Sequence, residues 1–171
     1  EGVDLVLGAA EKFRILEFVD QMSVGENENS FFAGEITDVE GFNNAYSFGD
    51  RTRSFLKVQD GCDYKCSFCT IPLARGASRS NTVQSVVETA HEIVEKGIKE
   101  VVLTGVNIGD FGLIDEATGG SSIDRPRETF LDLITALDDF DGIDRFRISS
   151  IEPNLLTDEI ISFVAQSKRF V

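Results

Sequence analysis

Cys62, Cys66 and Cys69 lie in one short run, Cys62-Asp-Tyr-Lys-Cys66-Ser-Phe-Cys69, and are the only cysteines of the chain. Thiolates at C-x3-C-x2-C spacing can converge on one metal centre, because a single loop can wrap it. Three thiolates do not close a zinc site, which usually takes four ligands. They do suit a cubane iron–sulfur cluster with one iron left open. An open iron is what a cluster needs if it must bind and reduce something rather than only pass electrons. Two plainer readings stand beside this one: three free buried cysteines, and a structural zinc site completed by His91, the only histidine. His91 falls on the flank of the apolar stripe of its helix, where a surface or boundary histidine is the ordinary reading.

The elements that must position this loop can be read from periodicity. Residues 55–60 (Phe-Leu-Lys-Val-Gln-Asp) form a strand candidate directly before the cysteines, followed by strands at 101–104 and 146–150. Helical spacing fills the gaps. Val83, Val86, Val87, Ala90 and Val94 share one face, with Thr82 to cap that helix and Gly97 to end it. Phe130, Leu133, Ile134 and Leu137 repeat the pattern before Asp141-Gly142. Thr157 starts a third helix with Asp158 and Glu159 in its first turn and Ile160, Ile161 and Val164 apolar. Three consecutive βα units predict an α/β fold with a parallel sheet. Residues 112–127 read as a loose inserted loop. Upstream, 3–7 reads as a short buried strand and 11–22 as a helix with Phe13, Leu16 and Val19 apolar. The polar run 23–30 marks a linker, and 31–53 reads as irregular chain or a β-hairpin.

Composition bounds the function. The chain has 171 residues, 42% hydrophobic, with a formal net charge of −14, so it can bury a core and is not by itself a general nucleic-acid binder. Its longest apolar runs fall far short of the roughly 20 residues of a membrane span. An odd number of cysteines argues against a pure disulfide framework and for a reducing, cytoplasmic setting. Residues 54–80 form the only positive segment, with Lys57, Lys65, Arg75 and Arg79 against Asp60 and Asp63. That excess could offset a thiolate-bound cluster or meet nucleic-acid phosphate, or be a chance set of solvated cations.

The C-x3-C-x-aromatic-C pattern, with Phe68 before the last cysteine, resembles the signature of the radical S-adenosylmethionine (SAM) superfamily. The resemblance implies a site-differentiated 4Fe–4S cluster on Cys62, Cys66 and Cys69, with the open iron chelated by the amino and carboxylate groups of SAM. An electron from the cluster would then cleave the sulfonium to methionine and a 5′-deoxyadenosyl radical. Wider motifs narrow the resemblance: Phe-Leu-Lys-Val-Gln-Asp-Gly-Cys (55–62), Ile-Pro-Leu-Ala-Arg-Gly (71–76), Ser78-Arg79-Ser80, Leu-Thr-Gly-Val-Asn-Ile-Gly (103–109) and Arg-Ile-Ser-Ser-Ile-Glu-Pro (147–153) are similar to the radical SAM methylthiotransferases. Gln-Asp-Gly-Cys and Leu-Thr-Gly-Val-Asn-Ile-Gly-Asp-Phe-Gly look closest to the branch that adds a methylthio group to carbon 2 of N6-threonylcarbamoyladenosine beside the tRNA anticodon. Siblings act on isopentenyladenosine in tRNA or on an aspartate of a ribosomal protein. A non-catalytic iron–sulfur or zinc module is the alternative of a different class.

Strand ends support a common site independently of the family. Ligand-contacting residues of parallel βα architectures gather at the C-terminal ends of strands. Here strand one runs into the cysteine loop, strand two into Thr104-Gly105-Val106-Asn107, and strand three into Ser149-Ser150-Ile151-Glu152-Pro153. The resemblance implies that the Gly105–Asn107 turn meets the methionyl end of SAM and that Phe68 with its backbone neighbours meets the adenine. Ser150 and Glu152 offer hydroxyl and carboxylate partners, as does Ser149. The resulting expectation is the tail of an N-terminal α/β domain (1–22), a linker (23–53) and the first half of a radical SAM (βα) barrel (54–171). Full-length partners would be tRNA and a reducing electron donor, with a second 4Fe–4S cluster held by cysteines outside this chain. A sheet of three such strands would leave an exposed parallel edge, so this chain alone should be poorly stable and inactive in sulfur insertion.

Overall fold

The computed structural model describes residues 3–23, 31–39, 41–49, 52–112 and 128–171. Most of the inserted loop expected at 112–127 lies outside the described residues. The chain divides into two compact units, Glu1–Gly41 with Tyr64–Gly76, and Phe42–Asp63 with Ala77–Val171.

The first unit opens with strand β1, Val6–Leu7, a 3-10 turn at Glu11–Arg14, and helix α1, Ile15–Ser23. Strand β2, Phe31–Phe32, pairs parallel with β1, joining Val6 to Phe31 and Leu7 to Phe32. The expected strand and helix are thus joined by a second strand into a small β–α–β unit, where residues 31–53 read as irregular chain or a β-hairpin. Alternation cannot be seen in a two-residue strand, so β2 was illegible. Phe18, the one buried residue of α1, closes the unit by packing on Phe32 with ring centroids 4.6 Å apart. The same unit carries helix α2, Ile71–Arg75, which has Pro72 in its first turn and stops at Gly76, a left-handed residue at φ 77°.

The second unit is built on a four-stranded sheet. Strand β3, Ala45–Tyr46, runs antiparallel to β4, Arg53–Lys57. Strand β5, Gln59–Asp60, leaves that sheet and pairs antiparallel with β6, Arg79–Ser80. Helix α3, Val83–Glu95, leads to β7, Glu100–Thr104; α4, Phe130–Asp138, leads to β8, Arg145–Ile148; α5, Asp158–Gln166, follows. The order is β3-β4-β7-β8, with β4, β7 and β8 mutually parallel. The expected strand 55–60 is therefore two strands. β7 turns away at Gly105, so β4 has no neighbour past Val58, whose N–H makes the last bond, 2.9 Å to the Thr104 carbonyl. The next two residues find β6 instead.

Local chemistry sets the helix starts. Thr82 caps α3 by accepting from the Ser85 N–H, and Thr157 caps α5 through the Ile160 N–H. Thr129 and Asp132 form a reciprocal capping box on α4. Leu56, Val101, Leu103 and Phe146 point from the strands into a core with Ile93, Leu133 and Leu137 of the helices, all at 0–1% exposure. Each such side chain contributes about 1.5–3 kcal/mol on burial. The opposite sheet face is charged. Glu100 lies between Arg53, Arg145 and Arg147 at 3.6, 3.3 and 2.9 Å, and Arg147 foremost, with Arg145, holds its carboxyl below the usual range. The edge of β8, expected to be open, has a partner at one point. Phe146 bridges parallel to Phe170, its N–H donating to the Arg169 carbonyl at 2.8 Å, with the two rings stacked 5.2 Å apart.

Candidate functional site

The C-terminal ends of β4, β7 and β8 are tied together by a chain of hydrogen bonds. It starts at the strand that delivers Cys62. Asp60, 2% exposed, is a carboxylate that needs cations to be tolerated in the interior, and Arg79 at 3.3 Å and Lys57 at 3.6 Å supply them. Its Oδ1 also accepts the N–H of Gly61 at 2.9 Å, fixing the residue just before the cysteine. Two of the four cations of segment 54–80 are thus committed to one buried acid, which reduces the surplus the sequence suggested. Lys65 and Arg75 are exposed.

Gln59 makes the first link of the chain. It is fully buried, and its Oε1 accepts the backbone N–H groups of Val106 and Asn107, both at 2.9 Å. Its Nε2 donates toward the Gly61 carbonyl at 2.7 Å, the Ser78 hydroxyl at 2.9 Å and the Asp60 carbonyl at 3.1 Å. One amide therefore joins the root of the cysteine loop to the turn after β7.

Asn107 makes the second link. It is 1% exposed, donates from Nδ2 to Asp110 Oδ2 at 3.0 Å, and accepts the Glu152 N–H at Oδ1, 3.1 Å away. The Ile108 N–H adds a bond of 3.0 Å to the Ser150 carbonyl, and the Ser149 hydroxyl donates to the Leu103 carbonyl at 2.8 Å. Ser150 is held at φ 55°, the one non-glycine in the left-handed region among the described residues, a conformation that costs on the order of 1 kcal/mol. Burial, reinforced by the nearby Asp63 and Glu152 carboxylates, pushes the Asp110 carboxyl up, against the pull of the Asn107 amide. Gly105 has no room for a side chain, since a Cβ there would lie 2.7 Å from Ile108 Cγ2 and 2.8 Å from Gln59 Oε1.

Of the residues singled out in the sequence, Gly105, Asn107, Ser150 and Glu152 stand on this rim, with Glu152 exposed. The Asn107 side chain is occupied in bracing its neighbours. Cys62 follows directly from the rim. Cys66, Cys69 and Phe68 belong to the first unit, where Phe68 is 90% exposed. Gln59, Ser78 and Asp110 were not marked as site residues. Each lies inside a motif that carries the family resemblance, at 55–62, 78–80 and 103–112, but no local feature of those motifs names the partner of its side chain.

The donor set fits an iron–sulfur group. The three thiols carry no disulfide, Cys62 and Cys69 are half-buried and Cys66 is exposed. Cys66 and Cys69 end one turn, closed by the Cys69 N–H to the Cys66 carbonyl at 3.1 Å. Among the described residues, no three Cys, His, Asp or Glu side chains are gathered tightly enough to hold a metal. Metal binding itself supplies the free energy that gathers such ligands. His91 stands exposed on α3 with its ring edge-on to Phe140, centroids 4.5 Å apart.

A threonylcarbamoyladenosine tRNA methylthiotransferase of Bacillus subtilis is 35% identical over 99% of the chain and 36% of its own length. The protein of that description from Thermotoga maritima is 36% identical over 98% of the chain and 36% of its length. A tRNA-2-methylthio-N(6)-dimethylallyladenosine synthase of Roseobacter denitrificans is 39% identical over 63% of the chain and 23% of its length. The chain thus spans about a third of the length of the curated relatives it matches across nearly its whole extent. The family profile that matches runs from residue 56 to 168, taking in the cysteine loop and all three rim turns, and by it the chain belongs to the radical SAM superfamily.

Proposed function

We propose that the protein containing this chain is a tRNA methylthiotransferase that adds a methylthio group to carbon 2 of N6-threonylcarbamoyladenosine beside the anticodon. The observation that carries the reading is the cysteine loop springing from a strand end that is hydrogen-bonded to the second strand end, which is in turn bonded to the third. Relatives named for this reaction, matching across nearly the whole chain, support the substrate. A bound 4Fe–4S cluster and SAM would supply a radical able to take hydrogen from an unactivated carbon. Cys62, Cys66 and Cys69 hold the cluster. The Gly105–Asn107 turn offers its backbone to the methionyl end, and Phe68 lies against the adenine. Ser150 and Glu152 present polar groups at the third strand end. The sulfur step calls for a second cluster on ligands other than these cysteines, and the reductant is a separate electron donor. The setting is the cytoplasm; no helix among the described residues is long and apolar enough to cross a membrane.

Similarity to the dimethylallyladenosine enzyme favours one second reading, the same chemistry on that nucleoside. Anaerobic reconstitution of the full-length protein tests the cofactor. A 4Fe–4S absorbance band with a reduced-state resonance that shifts on adding SAM is expected, whereas one tightly held zinc and no shift would leave a structural module. Nucleoside analysis of tRNA from a deletion strain tests the substrate. Loss of the methylthio group from threonylcarbamoyladenosine alone is expected, and loss from isopentenyladenosine alone would move the assignment to the sibling.

A further inference from the structure

Gln59 carries more hydrogen bonds than a strand terminus needs. It is fully buried, its carbonyl oxygen takes two successive backbone N–H groups of the turn after β7, and its amide nitrogen faces two backbone carbonyls and a hydroxyl at the root of the cysteine loop. The backbone ladder between β4 and β7 ends one residue earlier, at the Val58 to Thr104 bond. Beyond that point Gln59 is the described direct tie between the loop that bears Cys62 and the Gly105–Asn107 turn. Gly105 is built around it, since any Cβ would meet Gln59 Oε1 at 2.8 Å and Gln59 Cβ at 3.0 Å.

We infer that Gln59 is a positioning residue: a two-armed strut whose oxygen holds the Gly105–Asn107 turn and whose nitrogen holds the cysteine loop, setting the spacing between the group bound by one and the group bound by the other. The inference rests on the assignment of cluster and SAM given above. An amide of this length is suited to the task. It accepts on one atom and donates on the other, and burial makes each unmet arm expensive. Glutamate would keep the arm to the Val106 and Asn107 N–H groups but turn an oxygen toward the Gly61 carbonyl. Methionine would fill the space and hold neither side.

The test uses the full-length protein, reconstituted anaerobically, as wild type and as Gln59→Glu and Gln59→Met. Iron and sulfide content, near-UV circular dichroism and the SAM dependence of the reduced-cluster resonance are read for each. Both variants should retain their cluster, while the SAM concentration that half-shifts the resonance rises about 10- to 100-fold, the range typical when support for a bound group is removed. Full cluster loading with an unchanged SAM midpoint would overturn the inference. If wild type itself shows no response to SAM, the proposed function fails instead, and the two failures are distinct. Should the variants not fold, amide exchange of wild type decides. Loading the cluster without SAM should slow exchange at Val106 and Asn107 several-fold, because a fixed loop fixes the strut, and unchanged exchange there would overturn the inference.

Discussion

Replacing Asn107 by alanine removes both bonds that brace the turn after β7 against the turn after β8. The Nδ2 bond runs to a carboxylate 3.0 Å away and the Oδ1 bond to the Glu152 N–H at 3.1 Å. A hydrogen bond to a charged partner contributes about 1.5–3 kcal/mol and an ordinary one about 1 kcal/mol, so a loss of about 3 kcal/mol is expected. For a chain of this length that is a melting-point drop of roughly 6–12 °C. Because Asn107 is 1% exposed, water cannot replace the lost partners without opening the turn. The assay is urea and thermal unfolding of the apo protein followed by far-UV circular dichroism. Asn107→Asp makes a sharper companion. It keeps an acceptor for Glu152 but sets a second carboxylate beside Asp110, whose proton affinity is already raised by burial, Asp63 and Glu152. Its penalty should exceed that of alanine near neutral pH and shrink as the pH falls and the pair comes to share a proton. A loss below about 1 kcal/mol for Asn107→Ala, or no pH dependence in the aspartate variant's deficit, would refute the bracing role.

Asp110 gives the wild type its own pH signature. Its folded-state carboxyl is raised, so ionisation opposes folding, and stability should rise as pH falls from neutrality through the folded value toward the unfolded value of about 3.9. Asp110→Asn should flatten melting temperature against pH in that window and raise it at neutrality. Thr129→Ala removes the capping box of α4 and should cost about 1 kcal/mol in urea unfolding. Gly112→Ala should leave no soluble folded protein in an expression and size-exclusion test, since Gly112 is left-handed at φ 71° and a Cβ there would collide with the Glu128 carbonyl.

Elements with several turns of periodic sequence were the legible ones. Thr82 and Thr157 mark helix starts by hydroxyls that act within four residues, and Gly97 marks a helix end by its left-handed backbone; the structure uses them as caps and a stop. The parallel run β4, β7 and β8 followed from apolar strands between those helices. What stayed hidden depends on distant partners. Phe31 and Phe32 become a strand only because Val6 and Leu7 lie alongside, and Gln59 leaves the β4 line because β7 has turned away. The rim was legible as three polar strand ends. Its internal wiring was not: a bond spanning 45 or more residues, such as Glu152 to Asn107 or Val106 to Gln59, leaves no local trace.

The wiring of the rim is mostly main chain. Val106, Asn107, Ile108 and Glu152 contribute their amides, and Gly61, Ser150 and Leu103 their carbonyls. Such a scaffold is indifferent to most of the side chains that project outward from it. The exposed Glu152 can be exchanged for other residues without unfastening the ledge, provided the amides at positions 59 and 107 remain. A lineage can then redirect one frame toward a new target by changing its ornament, leaving the joinery underneath untouched.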